Sequence, residues 1–488
     1  MTSGLARHRR TRVQSSLFNV RVPLEGRGDV FLMNTFTDAQ LIVSGDVVDL
    51  LDRLDGRSAS NFSDDERATL EQLSEHGFVV QDRGNERREL RDFFREVRES
   101  SDTLKITVLT TLQCNFACDY CIQGDHGDYN KQAAKMSLEM AARIAAWVES
   151  RLDTVHPNRL VLTFFGGEPL LNMPVLYYLS ERLHAAAAAR DVEFLINIIT
   201  NGLLLSREMV DRLNPLGLNG IKVTLDGDRE AHNRSRPLRG GQGTFDKIIA
   251  NVREVAPLTR IAVGGNFDVD TADSYPALLD FLAQQDFAPR LSKVTFKPVI
   301  REKSAQAKGM IPLTLVSAEG TASRSLDKPL NGACMTSAGT GVSRVCDTCN
   351  FADEKMAYLR DETKKRGFST ADGVHMGPCE IHKSHAHTIG PDGSLFACPG
   401  FAGEALQSVG HIDGRQDDFR TQAFRNFERL SAWEQCQDCA FIPVCAGGCT
   451  VAAHNELGDM HAPNCHKPSF EAGVVALARD AARELAVA

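Results

Sequence analysis

The sequence predicts an α/β protein: a partial (β/α)6 TIM-like barrel over residues 101–300, preceded by a winged-helix-like α+β module in residues 1–100. A bridge at 301–372 leads to a cysteine-rich domain at 373–488. Three observations predict this. Residues 104–300 alternate short apolar strands with helical stretches, and polar or glycine-rich residues follow each strand. The 13 cysteines are absent from the first 113 residues and from 122–333. Near-continuous apolar strands separated by helices mean a parallel sheet covered by helices.

The first hundred residues show another pattern. "FNVRVPLEGRGDVFLMNTFT" (18–37) predicts an antiparallel hairpin, "SDDERATLEQLSEHG" (63–77) a helix with an acidic first turn and Gly77 at its end, and "FVVQD" (78–82) a closing strand. The charge-dense segment 83–100 spaces Leu90, Phe93, Phe94 and Val97 as a linking helix with one buried stripe.

Six strands are expected next: "LKITVL" (104–109), "LVLTFF" (160–165), "FLINII" (194–199), "IKVTL" (221–225), "RIAVGG" (260–265) and "KVTFKPV" (293–299). Of the helices between them, one has Ser137 as its N-cap and another has Pro174 in its first turn. Residues 301–372 are polar and Gly/Ser-rich, and no repeat of solenoid period is present.

Composition narrows the function classes. A net charge of -9 does not suggest a nucleic-acid partner, and no apolar run approaches the roughly 18 residues of a membrane span. The basic start "ARHRRTR" (6–12) has no apolar core behind it and reads as a solvated tail. A cytoplasmic protein without a membrane partner is expected. There, an odd number of clustered cysteines points to metal rather than to disulfides.

The loops at the strand C-termini carry the chemistry. In order these are the cysteine loop, "GGEP" (166–169), "TNG" (200–202), "DGDREAHNRSRP" (226–237), "GGNFD" (264–268) and Lys297-Pro298. In α/β barrels the site assembles at this end of the strands. Cys114, Cys118 and Cys121 have the spacing C-x3-C-x2-C with no fourth ligand nearby. Structural zinc takes four ligands, whereas an iron-sulfur cubane held by three thiolates keeps one iron open. The spacing favours the cluster and leaves zinc or unligated thiols as alternatives.

This triplet after a first strand, with "GGEP" after the second, resembles the radical S-adenosyl-L-methionine (AdoMet) superfamily. The resemblance implies a [4Fe-4S] cluster on Cys114, Cys118 and Cys121 whose open iron chelates AdoMet, and cleavage of AdoMet to a 5'-deoxyadenosyl radical that abstracts substrate hydrogen. It implies that Gly166, Gly167, Glu168 and Pro169 meet the methionine amino group and that Tyr120 lies near the adenine. It also implies that Thr200, Asn201, Thr224, Asp226 and Arg236 line the pocket.

The distal cysteines resemble the seven-cysteine SPASM extension of peptide-modifying radical AdoMet enzymes: Cys379-x13-Gly393-x4-Cys398, then Cys436-x2-Cys439-x5-Cys445-x3-Cys449, then Cys465. That resemblance implies two auxiliary [4Fe-4S] clusters, hence three in all. Cys436, Cys439, Cys445 and Cys465 would hold one, and Cys379, Cys398 and Cys449 the other. The position where some relatives place a further cysteine is Gly373. Either that cluster keeps an open iron, or the bridge supplies a thiolate from Cys334, Cys346 or Cys349, with "CDTC" (346–349) the preferred donor.

Two substrate classes remain. Sulfatase maturases carry an aspartate directly after the second motif cysteine, where this chain has Pro399. The N-terminal module resembles in pattern the peptide-recognition domain of ribosomal-peptide maturases. The resemblance implies a peptide maturase (RiPP biosynthesis) that acts on a precursor peptide with a leader sequence and makes a thioether or C-C crosslink or a related oxidation. Its electron donor would be a flavodoxin or ferredoxin. The alternative is a maturase of a protein side chain, such as a sulfatase.

Overall fold

The computed structural model describes residues 13–26, 28–54, 62–118, 120–121, 134–300, 347–371, 373–374 and 377–487. The basic start, Cys334 and Cys346 lie outside the described residues.

In the N-terminal module β1 (Gln14–Ser15) pairs antiparallel with β5 (Val79–Val80), while β2 (Asn19–Pro23), β3 (Val30–Asn34) and β4 (Gln40–Val43) form a separate antiparallel sheet. Two features differ from expectation. The hairpin gains β4, and the closing strand pairs with β1 because Asn34 and Asn19 side chains bridge the chain to Gly77 and Phe78 carbonyls. Helices α1 (Gly45–Asp52) and α2 (Asp64–Glu75) cover the sheet. At the start of α2, Ser63 Oγ accepts from Glu66 N at 3.2 Å while Glu66 accepts from Ser63 N at 2.8 Å, a capping box.

Helix α3 (Arg83–Glu99) buries Leu90 and also Glu86, which the apolar spacing did not indicate. Glu86 accepts from Ser16 Oγ and from Leu17 N, and burial raises its pKa. Phe18, Phe36, Phe93, Phe94 and Trp433 form a chain of rings with successive centroids 4.9 to 5.6 Å apart. The module is thereby packed on the C-terminal region.

Strands β6 (Thr103–Leu109), β7 (Arg159–Phe165), β8 (Glu193–Thr200), β9 (Leu218–Thr224), β10 (Ile261–Phe267) and β11 (Leu291–Pro298) are parallel neighbours in sequence order. All six lie within two or three residues of their expected bounds. Alternate residues such as Leu160, Leu162 and Phe164 share a core with α4 (Leu138–Val155), α5 (Met173–Ala188), α6 (Arg207–Leu213), α8 (Phe245–Val255) and α9 (Tyr275–Ala283), while the short α7 (Arg229–Ser235) follows β9. The other set, including Thr163, Asn197, Lys222 and Thr224, faces the concave side and is only partly buried. Ser137 caps α4 by accepting from Met140 N at 3.1 Å.

Two findings alter the expected layout beyond residue 300. The end of the bridge is a helix, α10 (Asp347–Lys365), which contains Cys349 and packs against α9 and β11. The central sheet also crosses the expected boundary at 373: β12 (Ala386–Ile389) pairs in parallel with β6, and β13 (Ser394–Phe396) and β14 (Gly410–His411) extend it to nine strands. An open barrel leaves the outer edge of β6 with unpaired backbone groups, and β12 satisfies them. Helices α11 (Asp418–Glu428), α12 (Ile442–Cys445), α13 (Thr450–Ala452) and α14 (Lys467–Val487) complete the chain, with α14 packed on α10. Among the described residues no helix is long and apolar enough to cross a membrane.

At the β6–β12 seam, burial lowers His382 and His387 from 6.5 to about 4, helped by Arg98 and Arg151 respectively. The unfolded chain therefore binds more protons between those values, and the stability contributed by these neutral rings is full above pH 6.5 and lost as pH falls toward 4. His387 meets Trp147 edge-on at 5.3 Å, and its Nε2 has no hydrogen-bond partner among the described residues. Denaturation followed by tryptophan fluorescence should show stability falling through this window. His387→Phe should flatten the slope by about 1.4 kcal/mol per pH unit, and an unchanged slope would refute the neutral buried state of His387.

Candidate active site

The loop after β6, which carries the first three cysteines, is held against the loop after β7. Gly167 N donates to Thr111 O at 3.0 Å and Glu168 N to Gln113 O at 2.8 Å. A Cβ on Gly167 would lie 2.1 Å from Gln113 O, and one on Gly166 2.5 Å from Thr111 O. Gly166 also sits at φ 122°, so both the close approach and the backbone conformation demand glycine. Pro169 begins a short 3-10 turn whose Asn172 side chain donates to Thr110 O at 2.8 Å and Met136 O at 3.0 Å. The "GGEP" segment thus builds the floor of the cysteine loop.

Glu168 is fully buried and its carboxylate accepts from Leu170 N, Thr200 Oγ1 and Asn201 N at 2.7 to 3.0 Å. Burial raises its pKa against these bonds. The side chain ties the end of β8 to the loop after β7. Asn201, so placed, donates from Nδ2 to Asn115 Oδ1 at 2.8 Å and lies 3.9 Å from Cys114 Sγ. Cys114 Sγ also accepts from Phe116 N at 3.4 Å. Cys118 is buried in the barrel core, and Cys114 and Cys121 pack against that core.

A second cluster of polar groups stands on the far side of the loop. Tyr120 donates its hydroxyl to Asp226 Oδ2 and accepts from Arg236 Nη1. Asp226 Oδ1 accepts from Asn266 N at 2.7 Å, and Asn266 Nδ2 reaches Tyr120 Oη at 3.3 Å. Burial raises the Tyr120 pKa well above 10, which keeps the phenol a donor. Arg236 stacks over Phe116 at 5.6 Å and feels the charge of Cys118. Its Nε is buried without an acceptor among the described residues. Thr224 lies on the concave face opposite Gly264.

The motifs did not single out Asn266 and His232. His232 Nδ1 accepts from Asp226 N at 3.2 Å and its Nε2 meets Thr244 Oγ1 at 3.0 Å, so it holds the Asp226 turn from behind. The cue for His232 lay within "DGDREAH", and Asn266 lay within "GGNFD", both after strands.

The distal cysteines fall into two electrostatic groups. Cys398 feels Cys379 and Cys449, while Cys445 feels Cys436, Cys465 and Cys439. Burial pushes the Cys114, Cys398, Cys436 and Cys445 thiols up to about 12. A metal centre would hold them as thiolates. Among the described residues no three side chains converge closely enough to chelate a single ion. A cubane, whose thiolates meet different irons, needs no such convergence. The donor set fits such a centre, and the unsatisfied Arg236 N–H beside Cys118 fits an anionic group at the cysteine loop.

Residues 108–266 match the Radical SAM superfamily family model. The chain is 28% identical over 215 residues to Fe-coproporphyrin III synthase of Methanosarcina barkeri, covering 41% of this chain and 49% of that protein. It is 31% identical over 148 residues to GTP 3',8-cyclase of a Synechococcus species, covering 30% and 40%. It therefore spans half or less of the length of these two curated relatives, both of which are enzymes. The fold resembles anSMEcpe, an anaerobic sulfatase-maturating enzyme solved with bound AdoMet and Cp18Cys peptide, at TM-score 0.54 and 16% identity over 76% of this chain and 95% of that one. The barrel that carries the cysteine loop is a radical SAM domain.

Proposed function

We propose that this chain is a radical AdoMet enzyme that modifies a ribosomally made precursor peptide. The observation that carries the reading is the segregation of the cysteines into one loop at the barrel mouth and two distal groups. In this reading Cys114, Cys118 and Cys121 hold the first cluster, Cys436, Cys439, Cys445 and Cys465 a second, and Cys379, Cys398 and Cys449 a third. When bound, the first cluster supplies the electron that cleaves AdoMet to methionine and the hydrogen-abstracting 5'-deoxyadenosyl radical.

The chain's own residues orient and shield. Glu168 fixes Asn201 beside Cys114, and Tyr120 and Asp226, themselves bonded to Asn266, hold Arg236 with its buried Nε–H left for an anion such as the AdoMet carboxylate. Thr200 and Thr224 border the pocket. A peptide substrate accords with the peptide bound in the anSMEcpe structure and with the edge strands β2 and β4 of the N-terminal sheet, which offer backbone groups to an added strand. Cys398 is followed by Pro399, which supplies no carboxylate for the deprotonation a sulfatase maturase performs there. Cys349 in α10 or Cys346 would complete the third cluster's ligand set, and a flavodoxin or ferredoxin would deliver electrons.

Anaerobic reconstitution should give about twelve irons per chain, four for each cubane. Cys398→Ala should remove about four of them, and an unchanged iron count would refute its assignment. The combined variant Cys114→Ala, Cys118→Ala, Cys121→Ala should form no 5'-deoxyadenosine with dithionite and AdoMet. Persistent formation would overturn the radical AdoMet reading itself.

A further inference from the structure

The concave face of the barrel carries a charge pattern that the cysteine and AdoMet motifs do not use. Lys222 on β9 and Lys293 on β11 share one layer, each paired in register with Ala262 of β10. Lys297 lies farther toward the strand C-termini, paired with Asn266, whose amide reaches Tyr120. Lys222 does not stay in its own layer. A Cβ at Gly264 would stand 2.2 Å from Lys222 Cε and 3.1 Å from its Nζ, so this stem lies across β10 in the space that a glycine leaves. The ammonium is thereby directed toward the layer of Lys297.

This arrangement brings like charges together. Lys222 is partly buried, and the charges it feels are Lys297 and Lys293, both of its own sign. Burial first, and then those two lysines, lower its pKa to about 8. Among the described residues no carboxylate pairs with Lys222, Lys293 or Lys297. Two other partly buried cations here are matched, Arg182 by Glu149 and Lys105 by Glu380. Cys398 and Cys449 in turn feel the charge of Lys297. The cationic strip therefore runs from the Asn266–Tyr120 side of the pocket to the three-cysteine group.

We propose that Lys222 and Lys297 form a carboxylate-binding site on the barrel's inner face, which seats an acidic group of the peptide substrate between the AdoMet pocket and the Cys379–Cys398–Cys449 group. It rests on the peptide-maturase function and adds the substrate's chemical class. An anion there would neutralise mutually repelling lysines and form charge-assisted hydrogen bonds with the partly buried Lys222 and the exposed Lys297. Gly264 is the residue that makes room for the contact. The carboxylate has two sources, an aspartate or glutamate side chain and a free peptide C-terminus.

The test uses the reconstituted full-length enzyme and three fluorescent hexapeptide probes: an end-blocked peptide with one glutamate, its glutamine counterpart, and the glutamine peptide with a free C-terminal carboxylate. Fluorescence anisotropy should show the glutamate peptide binding roughly tenfold more tightly than the glutamine peptide, with the preference lost in Lys222→Met and in Lys297→Met. If the free C-terminus alone confers the preference, and the same variants abolish it, the site holds and the C-terminus is its source. Equal binding of all three probes by the unmodified enzyme overturns the site without reference to any variant. So does a preference that survives both substitutions. Formation of 5'-deoxyadenosine by the same preparation is scored separately, so failure of the radical reading is not confused with failure of this site.

Discussion

The structure depends on one close approach, that of the loop after β7 to the loop after β6. Two backbone hydrogen bonds, from Gly167 to Thr111 and from Glu168 to Gln113, fix the path of the segment that carries Cys114, Cys118 and Cys121. They form only because a side chain is missing at 166 and 167, where a Cβ would enter the contact distance of Thr111 and Gln113 carbonyls. Glu168 then turns a backbone contact into a three-strand brace, since its buried carboxylate takes donors from the ends of both β7 and β8. A buried carboxylate without those donors would cost several kcal/mol. With them it becomes a fixed anchor at the rim of the cysteine loop.

Charge on the other side of the loop obeys the same logic. A buried ion pair is a weak source of stability, because desolvation of both partners offsets their attraction. Asp226 and Arg236 are nonetheless both buried, and Tyr120 and Asn266 complete most of their hydrogen bonds. There remains one unsatisfied guanidinium N–H next to Cys118. A buried network with an unpartnered donor holds that donor in a set direction, which suits an anion that arrives with the ligand. Lys222 repeats this economy on the concave face, where glycine at 264 admits a cation that nothing in the described chain neutralises.

The barrel was legible because its strands are local, apolar and each trailed by a chemically distinctive loop. "GGEP", "TNG" and "DGD" announced the site end of the sheet, and the same residues stand around the cysteine loop. Nonlocal pairing was not legible. Nothing in "SHAHTIG" declares that it will lie beside β6 rather than found a separate sheet, since an edge is closed by whichever segment returns to it. Glu86 escaped for a related reason: its charge marked it for solvent, and only Ser16 and Leu17, far away in sequence, supply the donors that allow its burial. The roles within "GGEP" divided likewise. The residue types were readable, but whether Glu168 faces a ligand or braces a neighbouring strand depends on Thr200 and Asn201.

The N-terminal module and the distal cysteines form one mechanical unit. Phe18, Leu90 and Ile442 share a core against which Cys436 and Cys439 pack, and Thr35 donates to Ala440 O between Cys439 and Cys445. Phe94 rests on Trp433 just before Cys436. Were these cysteines metal ligands, they would couple the two, because metal binding at a site absent from the unfolded chain contributes its free energy to the fold around it. A centre on Cys436, Cys439, Cys445 and Cys465 would therefore stiffen the surface on which the module docks. The route from module to cysteine loop would then run through packed aromatic rings and the nine-stranded sheet.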